Sequence, residues 1–129
     1  MNLVQKVMAL KKIPPFNDLT EMELSLIAKV TRERRYPPGK MIATSGSVLS
    51  CLFIVLEGKV EFYLGSALPP VIGIASMLFD YALPTGLVSG NEEGALLLIV
   101  NKERFFTIIH ECPLFVVGLL SLSHRRGFY

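Results

Sequence analysis

The sequence has no long hydrophobic run and few cysteines, and each shortage excludes a class of protein. Hydrophobic residues make up 51% of the 129 residues and the mean hydropathy is +0.49, but the longest apolar runs are residues 51–56, 95–100 and 114–120. A membrane-spanning helix needs about 20 apolar residues, so we do not expect this chain to span a membrane. Cys51 and Cys112 are too few for a disulfide framework and lack metal-ligand spacing. They predict two buried thiols in a reducing cytoplasm.

Histidine is equally scarce, and this argues against catalysis. His110 and His124 are far apart on predicted helices, so neither fits a metal cluster or a catalytic triad. Residues 45–47, Ser-Gly-Ser, lack the strand-to-helix context of a nucleophile elbow. Residues 92–93, Glu-Glu, lie in a turn rich in glycine and asparagine, where solvated charge is the usual explanation. The sequence therefore predicts no catalytic residue, no metal ligand and no enzyme.

Basic residues are absent from one long stretch of the chain. No lysine, arginine or histidine lies between Val60 and Asn101, although this stretch carries Glu and Asp residues. The net charge of the whole chain is only +2, which is too small to indicate binding to nucleic acid or to an anionic membrane. Arg32, Arg34 and Arg35 form a cluster that lies before the first predicted strand, away in sequence from this stretch. The cluster is either a solvated face or a docking patch for a partner.

Two helices are predicted at the N-terminal end. Apolar residues within residues 2–11 recur at intervals of three and four, which is typical of a helix with one buried face, and prolines at 14–15 end it. Thr20 and Glu23 form a capping box, in which each side chain accepts a hydrogen bond from the other residue's backbone amide. The sequence therefore predicts a second helix over residues 21–31.

From residue 32 the hydrophobic pattern changes to that of short strands. Turn residues occur at 37–39, Pro-Pro-Gly, and at 45–47. The β-rich segments are residues 40–44, 51–56, 59–64, 87–88 and 95–100. Many short strands with glycine and proline corners are typical of a sandwich or a jelly roll. We therefore predict one mainly β domain with flanking helices (α+β), with N-terminal helices at 1–31, a jelly-roll β-roll at 32–100 and C-terminal helices at 101–127, all within residues 1–129.

The helical pattern returns at the C-terminal end. Asn101 is a suitable N-cap for a helix over residues 102–111, and Pro113 suits the start of a further helix over residues 114–124. That last helix is apolar almost all round, so one buried face does not account for it. Four of its residues are expected to pack on the roll and across a dimer interface: Leu114, Phe115, Val117 and Leu120.

The order of these features resembles the cyclic nucleotide-binding domain of bacterial regulators, ion channels and kinase regulatory subunits. Residues 13–20 match the family's entry, a Pro-Phe followed by a capped helix, and residues 36–42 match an aromatic residue before a Pro-Gly turn at the first roll strand. Residues 52–60, Leu-Phe-Ile-Val-Leu-Glu-Gly-Lys-Val, are close to the family's most recognisable strand pair. Residues 101–105 and 112–113 match the start and the end of the helix after the roll. The resemblance covers nearly the whole chain and implies the family's β-roll.

The resemblance also implies a phosphate-binding cassette, and there this sequence departs from the family's pattern. Gly73 matches the first glycine, but Ile74 replaces the glutamate that holds the ribose hydroxyl and Thr85 replaces the arginine that binds the phosphate. A predicted helix over residues 75–79 leaves only backbone amides and the Ser76 hydroxyl for an anion, and Ile74 presents an apolar wall. The positions that match the cassette are Gly73, Ile74, Ala75, Ser76, Pro84, Thr85 and Gly86. Without a cation near the cyclic phosphate, ordinary cyclic nucleotide binding is disfavoured and no cofactor is expected.

Three functional hypotheses remain. The first is a cytoplasmic regulatory or protein-interaction module with a degenerate cassette, cut from a larger protein and contacting a partner protein or a neighbouring domain. The second is a small-molecule sensor that binds a cyclic nucleotide in an altered way, or a less charged effector suited to Ile74. The third is an enzyme or a protein outside this family. A DNA-binding regulator would need a helix-turn-helix after the last helix, so no nucleic acid partner is expected of this chain.

Overall fold

The chain folds into a two-sheet β-roll with helices before, within and after it. A computed structural model describes residues 1–126, with side chains described through Leu120. The helices are α1 (Leu3–Leu10), α2 (Glu21–Lys29), α3 (Ile74–Phe79), α4 (Lys102–Glu111) and α5 (Pro113–Arg126), with a short 3-10 turn at Phe16–Asp18. The strands are β1 (Arg32–Tyr36), β2 (Met41–Ala43), β3 (Cys51–Gly58), β4 (Val60–Phe62), β5 (Val71–Ile72), β6 (Leu87–Ser89) and β7 (Ala95–Asn101).

The strands form two antiparallel sheets, as the mainly β prediction with flanking helices requires. One sheet has the order β1-β7-β3-β5 and the other has the order β2-β6-β4. Strands β1 and β5 were not among the predicted strands. The arginine cluster was placed before the first roll strand, and this is wrong: Arg32–Tyr36 is itself a strand, paired with β7 from Arg32↔Ile99 to Tyr36↔Ala95. It escaped prediction because charged residues replace the apolar alternation that marks a half-buried strand.

Apolar side chains fill both sides of the four-stranded sheet. Side chains alternate across a strand, so Phe53 of β3 faces the space between the two sheets, while Leu52 and Ile54 face the helices. Strand β7 is buried on both faces from Ala95 to Val100, which explains its continuous apolar run. The sheet therefore separates a core inside the roll from a core under the helices.

The N-terminal helices begin at capping boxes. At α2 the Glu23 amide donates to the Thr20 hydroxyl over 3.2 Å and the Thr20 amide donates to the Glu23 carboxylate over 3.0 Å, so this prediction is confirmed. Asn2 and Gln5 form the same reciprocal pair at the start of α1. That second capping box was present in the sequence as an Asn-x-x-Gln pattern but was not predicted.

The C-terminal helices also begin where the sequence places them. Asn101 accepts a hydrogen bond from the Arg104 amide over 2.9 Å at the start of α4, and Pro113 is the first residue of α5. The predicted end at residue 127 and the side chains of His124, Arg125 and Arg126 lie outside the described residues. Up to residue 126, no helix is long and apolar enough to cross a membrane.

Candidate functional site: the cassette and its surroundings

Gly73 fixes the start of the cassette against the neighbouring strand. Its φ of +113° lies in the region that favours glycine. A Cβ atom here would lie 2.5 Å from the backbone oxygen of Cys51 in β3, so a side chain is excluded by space as well as by conformation. The glycine that the resemblance predicts is therefore needed to bring α3 directly against the sheet.

Ile74, the first residue of α3, does not form the apolar pocket wall that was expected. Its side chain is 1% exposed and belongs to the core between the four-stranded sheet and the helices, with Leu52 and Phe105. The core inside the roll is a separate group of residues. The reason is the direction of the side chain. The side chain of the first residue of α3 points toward the helices, so the position of the family's glutamate contributes to packing here.

The Ser76 hydroxyl is expected to donate a hydrogen bond to an anion, but in the structure it donates within the chain. The Ser76 hydroxyl donates to the backbone oxygen of Tyr81 over 2.7 Å, and the residue is 2% exposed. This bond closes the end of α3, where Asp80 has a φ of +55°. Because the Ser76 hydroxyl is used in this way, the backbone amides at the start of the six-residue helix α3 are the donors that remain here for an anion.

The far end of the cassette is attached to the turn between β2 and β3. The Leu83 amide donates to the Ser47 backbone oxygen over 2.7 Å, and the Gly46 amide donates to the Leu83 oxygen over 2.9 Å. Leu83 itself is 4% exposed and packs inside the roll. Thr85, at the family's arginine position, is half-buried beside the exposed Pro84. The sequence analysis did not single out Leu83, because one apolar residue before Pro84 is a weak indication of burial.

Gly86 is also held by close packing. A Cβ atom on this buried residue would lie 3.0 Å from the Met41 sulfur and 3.1 Å from the Ala43 backbone oxygen of β2. The cassette segment thus runs from β3 at Gly73 to β2 at Gly86. The side chains of Ile74, Ser76 and Leu83 are buried along it, while Pro84 is exposed.

One cation near this region has a partner at the end of α3. The Lys102 amine lies 3.9 Å from the Asp80 carboxylate, at the end of α3 that is away from its amides. Burial raises the pKa of the Cys51 thiol, and the Arg32 guanidinium partly offsets this. Arg32 is therefore near enough to β3 to influence its thiol. Burial also raises the pKa of the Cys112 thiol, and both cysteines are free, with Cys112 buried and Cys51 half-buried.

Two clefts lie away from the cassette. One of about 290 Å³ is lined by acidic residues and glycines around Glu61, Glu92 and Glu93, and one of about 190 Å³ adjoins it at Glu61 and Asn91. Neither of these two clefts is lined by a cassette residue. No group of three or more potential metal ligands comes together within the part of the chain that the structure describes.

The four predicted interface residues of α5 separate into two pairs. Phe115 is 1% exposed and its ring centroid lies 5.0 Å from that of Phe16, so it belongs to the core and its assignment to an interface is wrong. Leu120 is half-buried and packs against the same core. Leu114 and Val117 are exposed by 77% and 64%. Most of the apolar surface that these four residues leave for a partner therefore comes from the second pair.

Known proteins match this chain through their structures. No family model and no curated protein matches its sequence. The catabolite activator protein of Thermus thermophilus is 28% identical with a TM-score of 0.71, over 85% of this chain and 56% of that protein. The regulatory domain of Toxoplasma gondii PKA, solved with cAMP, is 19% identical with a TM-score of 0.67, over 82% of this chain and 44% of that one.

A third structure matches almost from end to end. A Geobacter metallireducens protein named for cyclic nucleotide binding is 21% identical with a TM-score of 0.71, over 92% of both chains. This chain thus spans about half the length of the first two proteins and nearly all of the third. TM-scores of 0.67–0.71 over at least 82% of this chain show that the likeness includes most of the β-roll and its helices. The chain has the fold of a cyclic nucleotide-binding domain.

Proposed function

We propose that this chain is a non-catalytic regulatory module of a larger cytoplasmic protein, and that it does not hold a cyclic nucleotide in the way its fold family does. The observation that carries the proposal is the identity of two cassette residues. Ile74 is buried in the core beneath the helices, and Thr85 is an uncharged residue where a guanidinium would be needed. A cyclic phosphate carries a full negative charge, and charge-assisted hydrogen bonds are about twice as strong as neutral ones.

The surroundings of the cassette support this proposal. The Ser76 hydroxyl donates within the chain, and Leu83 occupies space inside the roll together with Phe53 and Leu97. No basic residue lies between Val60 and Asn101 in the sequence. Binding would therefore have to rely on the few free amides of α3, which lack the charge needed to offset the desolvation of a phosphate.

Calorimetric titration of the whole chain with cAMP and with cGMP tests the proposal. We expect a Kd no tighter than about 1 mM, which corresponds to about −4 kcal/mol. A Kd in the micromolar range for either nucleotide would contradict it.

A gain-of-function variant sharpens the same test. Thr85→Arg places a guanidinium on a half-buried position without disturbing the core, whereas Ile74→Glu would bury a carboxylate. We expect Thr85→Arg to tighten cAMP binding at least about tenfold, because one charge-assisted bond is worth about 1.5–3 kcal/mol. Thr85→Gln, which adds length without charge, is the matched control and should leave binding unchanged. Equal gains in both variants would show that charge is not what the cassette lacks.

A sensor for a less charged effector is the second candidate. The observation in its favour is that Gly73 has a φ of +113° and a short helix follows it, which leaves backbone amides at the start of α3. Titration with adenosine and guanosine beside the cyclic nucleotides separates the two candidates. A nucleoside that binds more tightly than its cyclic phosphate would favour the sensor, and equal weakness of all four compounds would favour the interaction module.

A further inference from the structure

We propose that the outer edge of β1 docks an extended acidic segment of a partner protein by strand addition. We call this surface the basic edge and define it as the outer side of Arg32–Tyr36 with the side chains of Arg32, Arg34 and Arg35. The proposal concerns a surface that the cassette does not include. It rests on the protein-interaction part of the proposed function and names the partner's chemistry.

Strand β1 is open on one side. It is the terminal strand of the order β1-β7-β3-β5, so β7 pairs with it on one side only. Within residues 1–126, the backbone of residues 32–36 makes no hydrogen bond outside that pairing. The nearest contacts are those of the Met1 ammonium with the Glu33 carboxylate and of the Lys6 amine with the Thr31 oxygen over 2.9 Å. An edge of this kind presents alternate amides and carbonyls to any strand placed beside it.

The basic edge carries a local excess of positive charge. Residues 29–40 contain five basic residues and one acidic residue, against a net charge of +2 for the whole chain. All four residues from Arg32 to Arg35 are exposed. Lysines and arginines on an edge disfavour pairing with another neutral or basic strand, so the same charges that protect this edge select an acidic partner.

The arginines are positioned for a partner with a two-residue repeat. Arg32 and Arg34 lie on the same face of β1, as their partners Ile99 and Leu97 both face the roll interior. They are about 6.8 Å apart along the strand. The Arg34 guanidinium lies 4.6 Å from the centroid of the Tyr36 ring, which restrains it while leaving its in-plane donors open.

Arg35 points to the other face and is already paired. Its guanidinium lies 3.2 Å from the Glu57 carboxylate of β3. The two arginines that can pair across strands with an added segment are therefore Arg32 and Arg34. Acidic residues at alternate positions of an extended peptide would lie directly opposite them, and opposite charges in that arrangement stabilise a strand pair.

A peptide explains the open backbone edge better than a nucleic acid or a lipid surface. A peptide backbone supplies the alternating donors and acceptors that β1 presents, whereas phosphates would satisfy only the arginines. We therefore commit to a peptide and make the other anions outcomes of the experiment.

Fluorescence anisotropy with the whole chain tests this proposal. The probe is a fluorescein-labelled peptide of about ten alternating glutamate and threonine residues, and we expect a Kd in the range of about 10–100 μM. Arg32→Glu with Arg34→Glu should weaken binding about tenfold or more. The matched control, Lys12→Glu with Lys59→Glu, makes the same change in net charge on exposed residues away from the edge and should change Kd by less than about twofold.

Backbone chemistry separates strand addition from simple charge attraction. Two further peptides of the same sequence carry N-methyl groups, one on its odd-numbered residues and the other on its even-numbered residues. Each keeps every charge but loses the amide donors along one of its two edges. Strand addition predicts that at least one N-methylated peptide binds about tenfold more weakly. Equal affinity for all peptides would overturn the proposal, and so would equal losses in the two double variants.

Competing anions complete the test. Single-stranded RNA of matched charge and vesicles that contain phosphatidylserine are titrated against the bound peptide. Stronger binding of either one than of the peptide would overturn the proposal. A peptide that fails to bind while cAMP titration also shows no binding would refute strand addition and leave the cassette proposal standing, so the two failures are distinguishable.

Discussion

Replacement of Phe115 by alanine should remove a large part of the free energy of unfolding of this domain. Replacement of its neighbour Leu114 should have little effect. Phe115 is 1% exposed and packs on Phe16 with 5.0 Å between ring centroids. Leu114, the preceding residue, is 77% exposed. The two substitutions remove apolar side chains from adjacent positions of α5, so helix propensity and chemistry are nearly matched and burial is the variable.

The expected magnitude follows from that burial. Truncation of a buried phenylalanine costs about 3–5 kcal/mol, and an aromatic pair contributes about 0.5–1.5 kcal/mol beyond its buried area. Domains of this size are stable by about 5–15 kcal/mol, so Phe115→Ala removes a large share of the total. An exposed substitution such as Leu114→Ala changes stability by about 0.5 kcal/mol or less.

Thermal and urea unfolding followed by circular dichroism measures the difference. We expect the Tm of Phe115→Ala to fall by about 10–20 °C and that of Leu114→Ala to fall by no more than about 2 °C. Phe16→Ala should resemble Phe115→Ala, since it removes the other ring of the pair. Equal and small effects of Phe115→Ala and Leu114→Ala would refute the assignment of α5 to the core.

Three further predictions concern a glycine, a carboxylate and the exposed face of α5. Gly73→Ala should cost more stability than Gly46→Ala, because both glycines have positive φ but only Gly73 has a backbone oxygen within 2.5 Å of the added Cβ; urea unfolding compares them, and equal losses would contradict the close contact. The backbone amide and then the hydroxyl of the N-cap threonine hold the pKa of Glu23 below its usual value, so its contribution is present above the ordinary glutamate pKa and is lost as pH falls through the lowered one. The drop in unfolding free energy between neutral and acidic pH should therefore be smaller for Glu23→Gln, and an unchanged drop would contradict this. Leu114→Glu with Val117→Glu should abolish any concentration-dependent self-association seen by sedimentation, because within residues 113–120 these are the exposed large apolar side chains of α5. Association that survives both changes would place the interface elsewhere.

The starts of the helices after Thr20 and Asn101 could be predicted because their signals are local, whereas α2 ends at Lys29 rather than at the predicted residue 31. Thr20 with Glu23 and Asn101 before α4 act within one helical turn, and the structure places hydrogen bonds where the sequence predicts them. Strand β7 could be predicted for a similar reason. A short apolar run such as residues 95–100 is too short to span a membrane and is typical of a strand that is buried on both faces. Local patterns were enough for these elements.

The edge strand and the cassette could not be predicted in the same way. Strand β1 is stabilised by pairing with β7, a residue range far away in sequence, so its own charged residues carried no strand signal. At Ile74 the residue type alone does not predict the direction of the side chain, which depends on how α3 starts from Gly73 against the Cys51 oxygen. The Ser76 hydroxyl was counted as free because its partner, the Tyr81 oxygen, is created by the way α3 ends.

The high apolar content has a structural cause that also bears on regulation. Because the four-stranded sheet separates two cores, β3 and β7 need apolar residues on both faces, and the helices need a second apolar layer. Helix α3 contacts both β3 and α5, and Lys102 at the start of α4 lies 3.9 Å from Asp80 at the end of α3. A displacement of α3 would therefore be transmitted to the C-terminal helices through packed side chains, which move between discrete arrangements more readily than they deform. Since Ile74 belongs to the core that Phe115 also fills, the residue at the family's glutamate position connects the cassette to the C-terminal helices.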